Sequence, residues 1–190
     1  MTEIQEKANT IPQELNIAEI RKYTKEAAPL IHCITNPISI HDCANIILAA
    51  GARPIMAEHP AEVAEITAVA SALMLNLGNI TDARIESIQR ALKEANRRKI
   101  PVLLDLVGVT CSSLRREFAR KLLADGRFAV IKGNISEILA AADLPFHGTG
   151  IDAGSQDAIS QANEASYCTT AKKLAEHLGC TVMATGKLDL

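Results

Sequence analysis

The chain has 190 residues, of which 48% are hydrophobic and 22% charged, and this balance fits a single globular domain with a core of ordinary size. A net charge of −2 at pH 7, with aromatic residues at 3% and no tryptophan, excludes a basic nucleic-acid interface and a base-stacking platform. No apolar run approaches the length of about 18 residues that spans a bilayer, and the polar, acidic start is unlike a secretory signal. We therefore expect a cytoplasmic protein with no membrane or nucleic-acid partner.

Short apolar runs alternate with segments of helical periodicity along the whole chain. The predicted strands are residues 30–34, 54–57, 72–77, 101–106, 128–131 and 180–184. The predicted helices are residues 17–27, 39–50, 61–70, 81–97, a segment marked by Leu114, Phe118 and Leu122, a helix from 135 and a long one at 157–178. This alternation predicts one α/β domain over residues 1–190, with a parallel sheet and helices on both faces.

The five cysteines, at positions 33, 43, 111, 168 and 180, form no C-x-x-C pair and no Cys/His spacing of a zinc site. We expect them to be reduced and mostly buried thiols.

The segment from Phe128 to Leu139 has the clearest chemical pattern. A buried strand is followed by Lys132 and Gly133, and Asn134 can begin the next helix. A strand that enters a helix through a glycine turn points backbone N–H groups at one spot, which favours a phosphate, while Lys132 adds a positive charge and Glu137 a carboxylate for Mg²⁺. The pair Asn134 and Glu137 also fits a capping box, which needs no ligand, and the residues alone leave both interpretations open.

Parallel sheets bind ligands at the carboxyl ends of their strands. Polar and glycine residues follow every predicted strand, at positions 35–36, 56–58, 76–78, 105–108, 132–134 and 185–186. No G-x-G-x-x-G motif follows the first strand and no Walker lysine loop is present, so a dinucleotide fold and a P-loop are disfavoured.

Taken together, these motifs resemble the hydroxyethylthiazole kinase family, which has the ribokinase-like, three-layer α/β/α fold. The similar segments are ITN (34–36), AN (44–45), LAAGARPIMAEHPAEV (48–63), LNLG (75–78), DLVGV (105–109), Arg115, KGNISEI (132–138), GIDAG (150–154) and ATGKLD (184–189). The resemblance covers the chain from about residue 17 and implies ATP-dependent phosphorylation of the hydroxyl group of 4-methyl-5-(2-hydroxyethyl)thiazole in thiamine salvage. It also implies Mg²⁺ and a homotrimer with active sites between subunits.

The resemblance assigns thiazole binding to Met56 and Asn36. A polarizable thioether suits a flat sulfur heterocycle, although a methionine at a strand end is also common in cores. Lys132 lies where the family has an ATP-binding arginine, so the positive charge is kept but the bidentate fork is lost.

By the same resemblance, Thr185 and Gly186 contact the nucleotide, and Asp105 and Glu137 organise the metal and the phosphates. An aspartate at the end of a strand can also cap the next turn. Two departures from the family pattern lie within this sequence. Leu106 replaces a proline and Thr110 a glycine in the turn after residue 105, which is expected to change the shape of that loop, and His41-Asp42 replaces a neutral pair near the thiazole site.

The family's catalytic cysteine lies in a glycine-rich turn that comes after ATGKLD, beyond Leu190. We therefore expect a C-terminally truncated, incomplete domain and assign no catalytic residue. The alternative is a non-catalytic relative that binds ligand or associates with itself without phosphoryl transfer. A third reading, another small-alcohol kinase of the same superfamily, fits the PIMAE setting of Met56 less well.

Overall fold

The computed structural model describes residues 16–148, 152–160 and 162–190, so the first two residues of the GIDAG motif lie outside it. The strands are β1 (Leu30–Ile34), β2 (Arg53–Ile55), β3 (Ala72–Asn76), β4 (Val102–Asp105), β5 (Val130–Asn134) and β6 (Thr181–Thr185). The helices are α1 (Ile17–Ala27), α2 (Ile40–Ala50), α3 (Val63–Val69), α4 (Asp82–Arg98), α5 (Ser113–Asp125), α6 (Ile135–Ala141) and α7 (Glu164–Leu178). The strands form one sheet in the order β2-β1-β3-β4-β5-β6, and every pairing is parallel. The predicted α/β class with a parallel sheet is confirmed.

Short polar side chains begin several helices. Asn16, Thr81 and Ser112 each accept a hydrogen bond from the backbone N–H three residues later, which satisfies one of the free donors in the first turn. Gly51 and Gly179 take left-handed backbone angles that end α2 and α7. These caps explain why the helix ends that carry them follow the sequence signals closely.

The two faces of the sheet are buried to different extents. One face, which we call the core face, carries Leu73, Leu75, Leu104 and Ile131, all at most 1% exposed, and it packs on buried side chains of α3 to α7. The opposite face, which we call the second face, carries apolar side chains that lie outside the buried core and are half-buried or exposed. By strand register these are Ala72, Met74, Leu103, Val130 and Met183.

Helices α1 and α2 differ from the others because neither contains a buried residue. Helix α2 contacts α1 and β2. The connection from β1 to β2 runs along the sheet in the opposite direction to the connection from β3 to β4, so right-handed crossovers put α2 and α4 on opposite faces. None of the described helices combines the length and the hydropathy needed to cross a bilayer.

Three sequence predictions are wrong in detail. Strand β5 continues through Lys132, Gly133 and Asn134 because these residues pair with β6, and no glycine turn separates it from α6. The long last helix begins at Glu164 rather than at residue 157, where Asp157 is engaged by other side chains. Of the cysteines, Cys33 is buried, three are half-buried and Cys111 is exposed, so most are more accessible than the sequence predicted.

Candidate active site

Because all six strands of the described residues point the same way, the residues that follow them meet at one edge of the sheet, which we call the rim. The strand order divides the rim into two parts. Asn36 and Met56 follow the neighbouring strands β1 and β2. Asp105 and Thr185 end β4 and β6, and Lys132 lies on β5 as the register partner of Asp105. The structure therefore brings the sequence-predicted residues together as two groups.

Asn36 packs against the end of β3. Its side chain accepts a hydrogen bond from Ile38 N (3.1 Å) and begins the 3₁₀ turn at Pro37–Ser39. Gly78 N donates to Asn76 Oδ1 (2.9 Å), and a Cβ at Gly78 would lie 2.8 Å from both Asn36 Nδ2 and Asn76 Oδ1. Residue 78 therefore has no room for a side chain, and the close approach fixes the Asn36 amide beside Asn76.

Met56 follows β2 at the edge of the sheet and is half-buried. The backbone after it is held from inside the protein, because the buried His32 side chain on β1 contacts the Ala57 carbonyl oxygen at 2.8 Å from Nε2. The thiazole contact assigned to Met56 stays a prediction.

Asp105 and Lys132 are register partners on β4 and β5. Lys132 Nζ donates to Asp105 Oδ2 (3.2 Å), and Val107 N donates to Asp105 Oδ1 (3.0 Å). The Asp105 side chain is 12% exposed and the Lys132 side chain 34%, so the ammonium group remains partly accessible from the rim. The structure thus pairs a cation with a carboxylate at this point of the rim.

Glu137 joins three segments of the rim although it is only 2% exposed. One carboxylate oxygen accepts from Gly108 N (2.8 Å) and the other from Asn134 N (2.8 Å), while Asn134 Oδ1 accepts from Glu137 N (3.0 Å). This is the capping box that the sequence left open. The phosphate interpretation is wrong for these N–H groups, because the Asn134 and Glu137 side chains already occupy them.

Burial is the largest influence on the Glu137 carboxyl and raises its pKa to about 7. The hydrogen bonds from Asn134 and Gly108 oppose that shift, the neighbouring Asp105 charge adds to it, and the Lys132 charge lowers it. A buried carboxylate beside a second carboxylate is a place where added positive charge is favourable.

The described residues contain no group of three or more His, Cys, Asp and Glu side chains that could enclose a metal ion. A magnesium ion does not require such a cage, because it is commonly bound by one or two carboxylates together with waters and substrate phosphates. Asp105 and Glu137 fit that kind of site in donor type and in charge, but each of their oxygens already accepts one hydrogen bond within the protein.

The turn after β4 is shaped by Gly108 and Arg115. Gly108 has φ +77°, and a Cβ there would overlap Arg115 Nη1, which donates to Leu77 O (2.9 Å). Leu106, at the position where the resemblance expects proline, donates its N–H to Lys132 O (2.8 Å). Proline has no N–H, so this departure adds a backbone hydrogen bond between the ends of β4 and β5.

Thr185 and Gly186 lie at the end of β6, the edge strand beside β5. Thr185 is the register partner of Asn134, and its hydroxyl donates to Gly133 O (3.3 Å). Gly186 N donates to Asp189 Oδ1 (3.0 Å). The structure therefore places these two residues next to Lys132 and Glu137 at the same end of the rim.

Sequence reasoning missed Arg84, which is 5% exposed at the rim. An arginine on a helix is usually solvent-exposed, so its residue type alone does not indicate a buried role. The spacing of Arg84 could have indicated its burial, because residue 84 is in helical phase with the buried Ile88, Ala91 and Ala95.

Comparisons with known proteins agree with this arrangement. The family model of the hydroxyethylthiazole kinase family matches residues 21–190. Hydroxyethylthiazole kinase 2 of Clostridium botulinum (strain 657 / Type Ba4) is 51% identical over 172 residues, which are 90% of this chain and 65% of the relative. Hydroxyethylthiazole kinase of Desulfovibrio desulfuricans is 39% identical over 173 residues, which are 91% of this chain and 61% of the relative.

A solved structure of a hydroxyethylthiazole kinase protein from Pyrococcus horikoshii OT3 superposes with a TM-score of 0.77 at 29% identity. The match covers 91% of this chain and 61% of that one. The chain thus spans less than two thirds of the length of the relatives that it matches. The matched segment includes both parts of the rim, and the chain belongs to the hydroxyethylthiazole kinase family.

Proposed function

We propose that the protein is a kinase that transfers the γ-phosphoryl group of ATP to the hydroxyl group of 4-methyl-5-(2-hydroxyethyl)thiazole, in the cytoplasm. The observation that carries this proposal is the cluster of Asp105, Lys132 and Glu137 at the rim of a chain from this family. Phosphoryl transfer depends mainly on positioning and on neutralising charge, and this cluster offers both. The names of the relatives support the thiazole alcohol as the acceptor.

The nucleotide side of the site comprises Lys132, Thr185 and Gly186. Lys132 Nζ is held by Asp105 and partly exposed, so it can interact with a phosphate without a large rearrangement of the strand. A lysine binds phosphate there through a single ammonium group, whereas an arginine can donate two parallel hydrogen bonds. The lysine therefore constrains the orientation of the phosphate less than an arginine would. Thr185 and Gly186 place a hydroxyl and an unhindered backbone beside it.

Asp105 and Glu137 are the residues that would hold Mg²⁺. When bound, the ion neutralises negative charge on the phosphates during transfer. Glu137 contributes in a second way, because its hydrogen bonds to Gly108 and Asn134 hold the turn after β4 against the start of α6. We therefore assign it a positioning role in addition to its negative charge at the proposed magnesium site.

Met56 and Asn36 are the proposed thiazole contacts. They follow the adjacent strands β2 and β1, so one small heterocycle can reach both. Strands are spaced by about 4.8 Å, which puts the end of β1 about 14 Å from the end of β5 and the end of β2 about 24 Å from the end of β6. The thiazole alcohol is too short to reach from Asn36 and Met56 to Lys132 within one copy, and a site completed by another subunit would remove this gap.

The outer surfaces of α1 and α2 support the same conclusion about subunits. They expose several large apolar side chains, namely Ile17 (77%), Ile20 (49%), Tyr23 (65%), Ile46 (69%) and Leu48 (56%). Such a surface is costly in water and is typical of a contact between subunits. We propose that it forms the interface of a homotrimer.

The experiment measures ADP release by the 190-residue chain with Mg-ATP, with and without the thiazole alcohol. Calorimetry measures the Kd of each ligand in parallel. Release that depends on the alcohol and is lost in Lys132→Met supports the proposal. Binding of the alcohol without release identifies the non-catalytic alternative. Failure to bind either ligand overturns both.

A further inference from the structure

Arg84 links the two strand ends that carry the proposed thiazole contacts. It projects from the buried face of α4, and its guanidinium group donates from Nη2 to the Thr35 carbonyl oxygen and from Nη1 to Glu58 Oε2 (3.2 Å). Thr35 immediately precedes Asn36, and Glu58 is two residues after Met56. A single side chain therefore contacts the backbone beside one proposed thiazole contact and a carboxylate near the other.

The segment Met56–Glu58 is held by two further buried side chains. His32 Nε2 lies 2.8 Å from Ala57 O, and since a carbonyl only accepts, Nε2 carries the proton. Ser87 Oγ donates to Glu58 O (2.7 Å). The backbone after β2 is thus fixed at consecutive residues by groups from β1 and α4.

The Arg84 contact is costly for the folded protein. The side chain is 6% exposed, its Nε has no hydrogen-bond partner among the described residues, and its carboxylate partner Glu58 is 46% exposed. Burial lowers the pKa of Arg84, and the Glu58 charge opposes that shift. An apolar side chain would fill the same space without an unpaired donor, so packing alone does not account for an arginine here.

We infer that Arg84 is the positioning residue that sets the spacing between Asn36 and Met56 and so determines affinity for the thiazole alcohol. This inference rests on the proposed function. Arg84 does not contact the substrate in this scheme. Its two hydrogen bonds hold the end of β1 and the Met56–Glu58 segment at one separation, and loss of that separation weakens ligand binding at this part of the rim only.

The test compares Arg84→Met with Arg90→Met, which removes an exposed arginine from the same helix. Calorimetry measures the Kd of the thiazole alcohol and of an ATP analogue. A displacement of about 1 Å in the groups that position a substrate can lower the rate of its reaction about a hundredfold. We therefore expect Arg84→Met to raise the Kd of the thiazole alcohol about tenfold or more. The Kd of the ATP analogue stays within about twofold, and Arg90→Met changes neither.

A purely structural role would lower the melting temperature and weaken both ligands alike, so equal loss of both affinities overturns the inference. If Arg84→Met does not fold, Arg84→Lys takes its place, because it keeps the buried charge and one hydrogen bond. We expect its Kd for the thiazole alcohol to be raised, but by less than about tenfold.

Amide hydrogen exchange separates this inference from the proposed function. If the unmodified chain does not bind the alcohol, the proposed function fails, yet faster exchange confined to residues 35–36 and 57–59 in the Arg84 variants still supports the positioning role. Unchanged exchange there overturns it.

Discussion

Lys132 Nζ lies 3.2 Å from Asp105 Oδ2 across the pairing of β4 and β5, so the proposed phosphate-binding cation is held by a carboxylate of the proposed magnesium site. The pair is partly exposed and its ion-pair energy is small, about 1 kcal/mol or less. We therefore expect Lys132→Met to change the free energy of unfolding little and to weaken binding of an ATP analogue about tenfold or more, since a charged hydrogen bond to phosphate is lost. Calorimetry and denaturant unfolding measure the two quantities.

Lys121→Met on α5 is the matched control, because it removes an exposed lysine away from the rim. Lys132→Arg is expected to retain nucleotide binding, since it restores a cation with a bidentate fork. Equal affinity of the Lys132→Met variant and the unmodified protein would remove Lys132 from the proposed nucleotide site.

Glu137 predicts a particular dependence of stability on pH. Burial raises its pKa from 4.5 to about 7, so between these values the folded state holds a proton that the unfolded state releases. The free energy of unfolding should therefore fall as the pH rises from about 4.5 to about 7, by up to about 3 kcal/mol. Denaturant unfolding at a series of pH values measures this, and Glu137→Gln should flatten the profile over that range.

Glu117→Gln, at an exposed position on α5, should leave the profile unchanged. An identical slope in the Glu137→Gln variant would show that the carboxyl group does not titrate in this interval.

The two faces of the sheet predict different costs for neighbouring leucines on β4. Leu104 is fully buried on the core face, whereas Leu103 is half-buried on the second face. Leu104→Ala should lower the free energy of unfolding by about 2–5 kcal/mol and Leu103→Ala by about 1 kcal/mol or less. Each substitution removes the same atoms from the same strand, so equal losses would contradict the difference between the faces.

Alanine substitutions at Gly108 and Gly179 distinguish the stability cost of backbone strain from that of a steric clash. Both have positive φ, but a Cβ at Gly108 would overlap Arg115 Nη1, whereas nothing lies within 4 Å of one at Gly179. Gly179→Ala should cost about 1 kcal/mol from its left-handed conformation alone, and Gly108→Ala clearly more. Thermal unfolding measures both, and the inference fails if Gly179→Ala is as destabilising as Gly108→Ala.

The exposed apolar surface of α1 and α2 predicts the state of association. We expect light scattering to give about three times the chain mass of 20.4 kDa, and Ile46→Asp to reduce it, because a charge in an apolar interface loses its hydration. Val69→Asp on α3 is the matched control, since Val69 is 70% exposed and Ile46 69%. A monomeric unmodified protein, or dissociation in both variants, would contradict the proposed interface.

The sequence predicted the strands and most helices within a few residues because glycine, proline and short polar caps mark their ends. It could not predict that Lys132, Gly133 and Asn134 extend β5, since these residues have low strand propensity and are held there by pairing with β6. The start of α7 was missed for a similar reason. Asp157 accepts hydrogen bonds from Ser136 Oγ (2.5 Å) and His147 N (2.7 Å) and so belongs to a loop.

The candidate site was predictable where a residue type and a strand end coincide, as for Asp105, Lys132 and Asn36. Arg84 shows the limit of that reasoning. An arginine is normally solvent-exposed, and only the fold shows that α4 directs this one toward Thr35 and Glu58. The positions of Asn36 and Met56 relative to Lys132 also depend on the strand order, which no local pattern determines.

The strand order has a consequence for how the protein is made. After β1 and β2 have paired, β3 joins the free side of β1, and each later strand adds beside the one that precedes it in the chain. None of the strands that the structure describes has to be inserted between two that are already paired. The sheet can therefore grow at its edges while the chain is still emerging from the ribosome. Each new strand pairs with a strand that has already been synthesised.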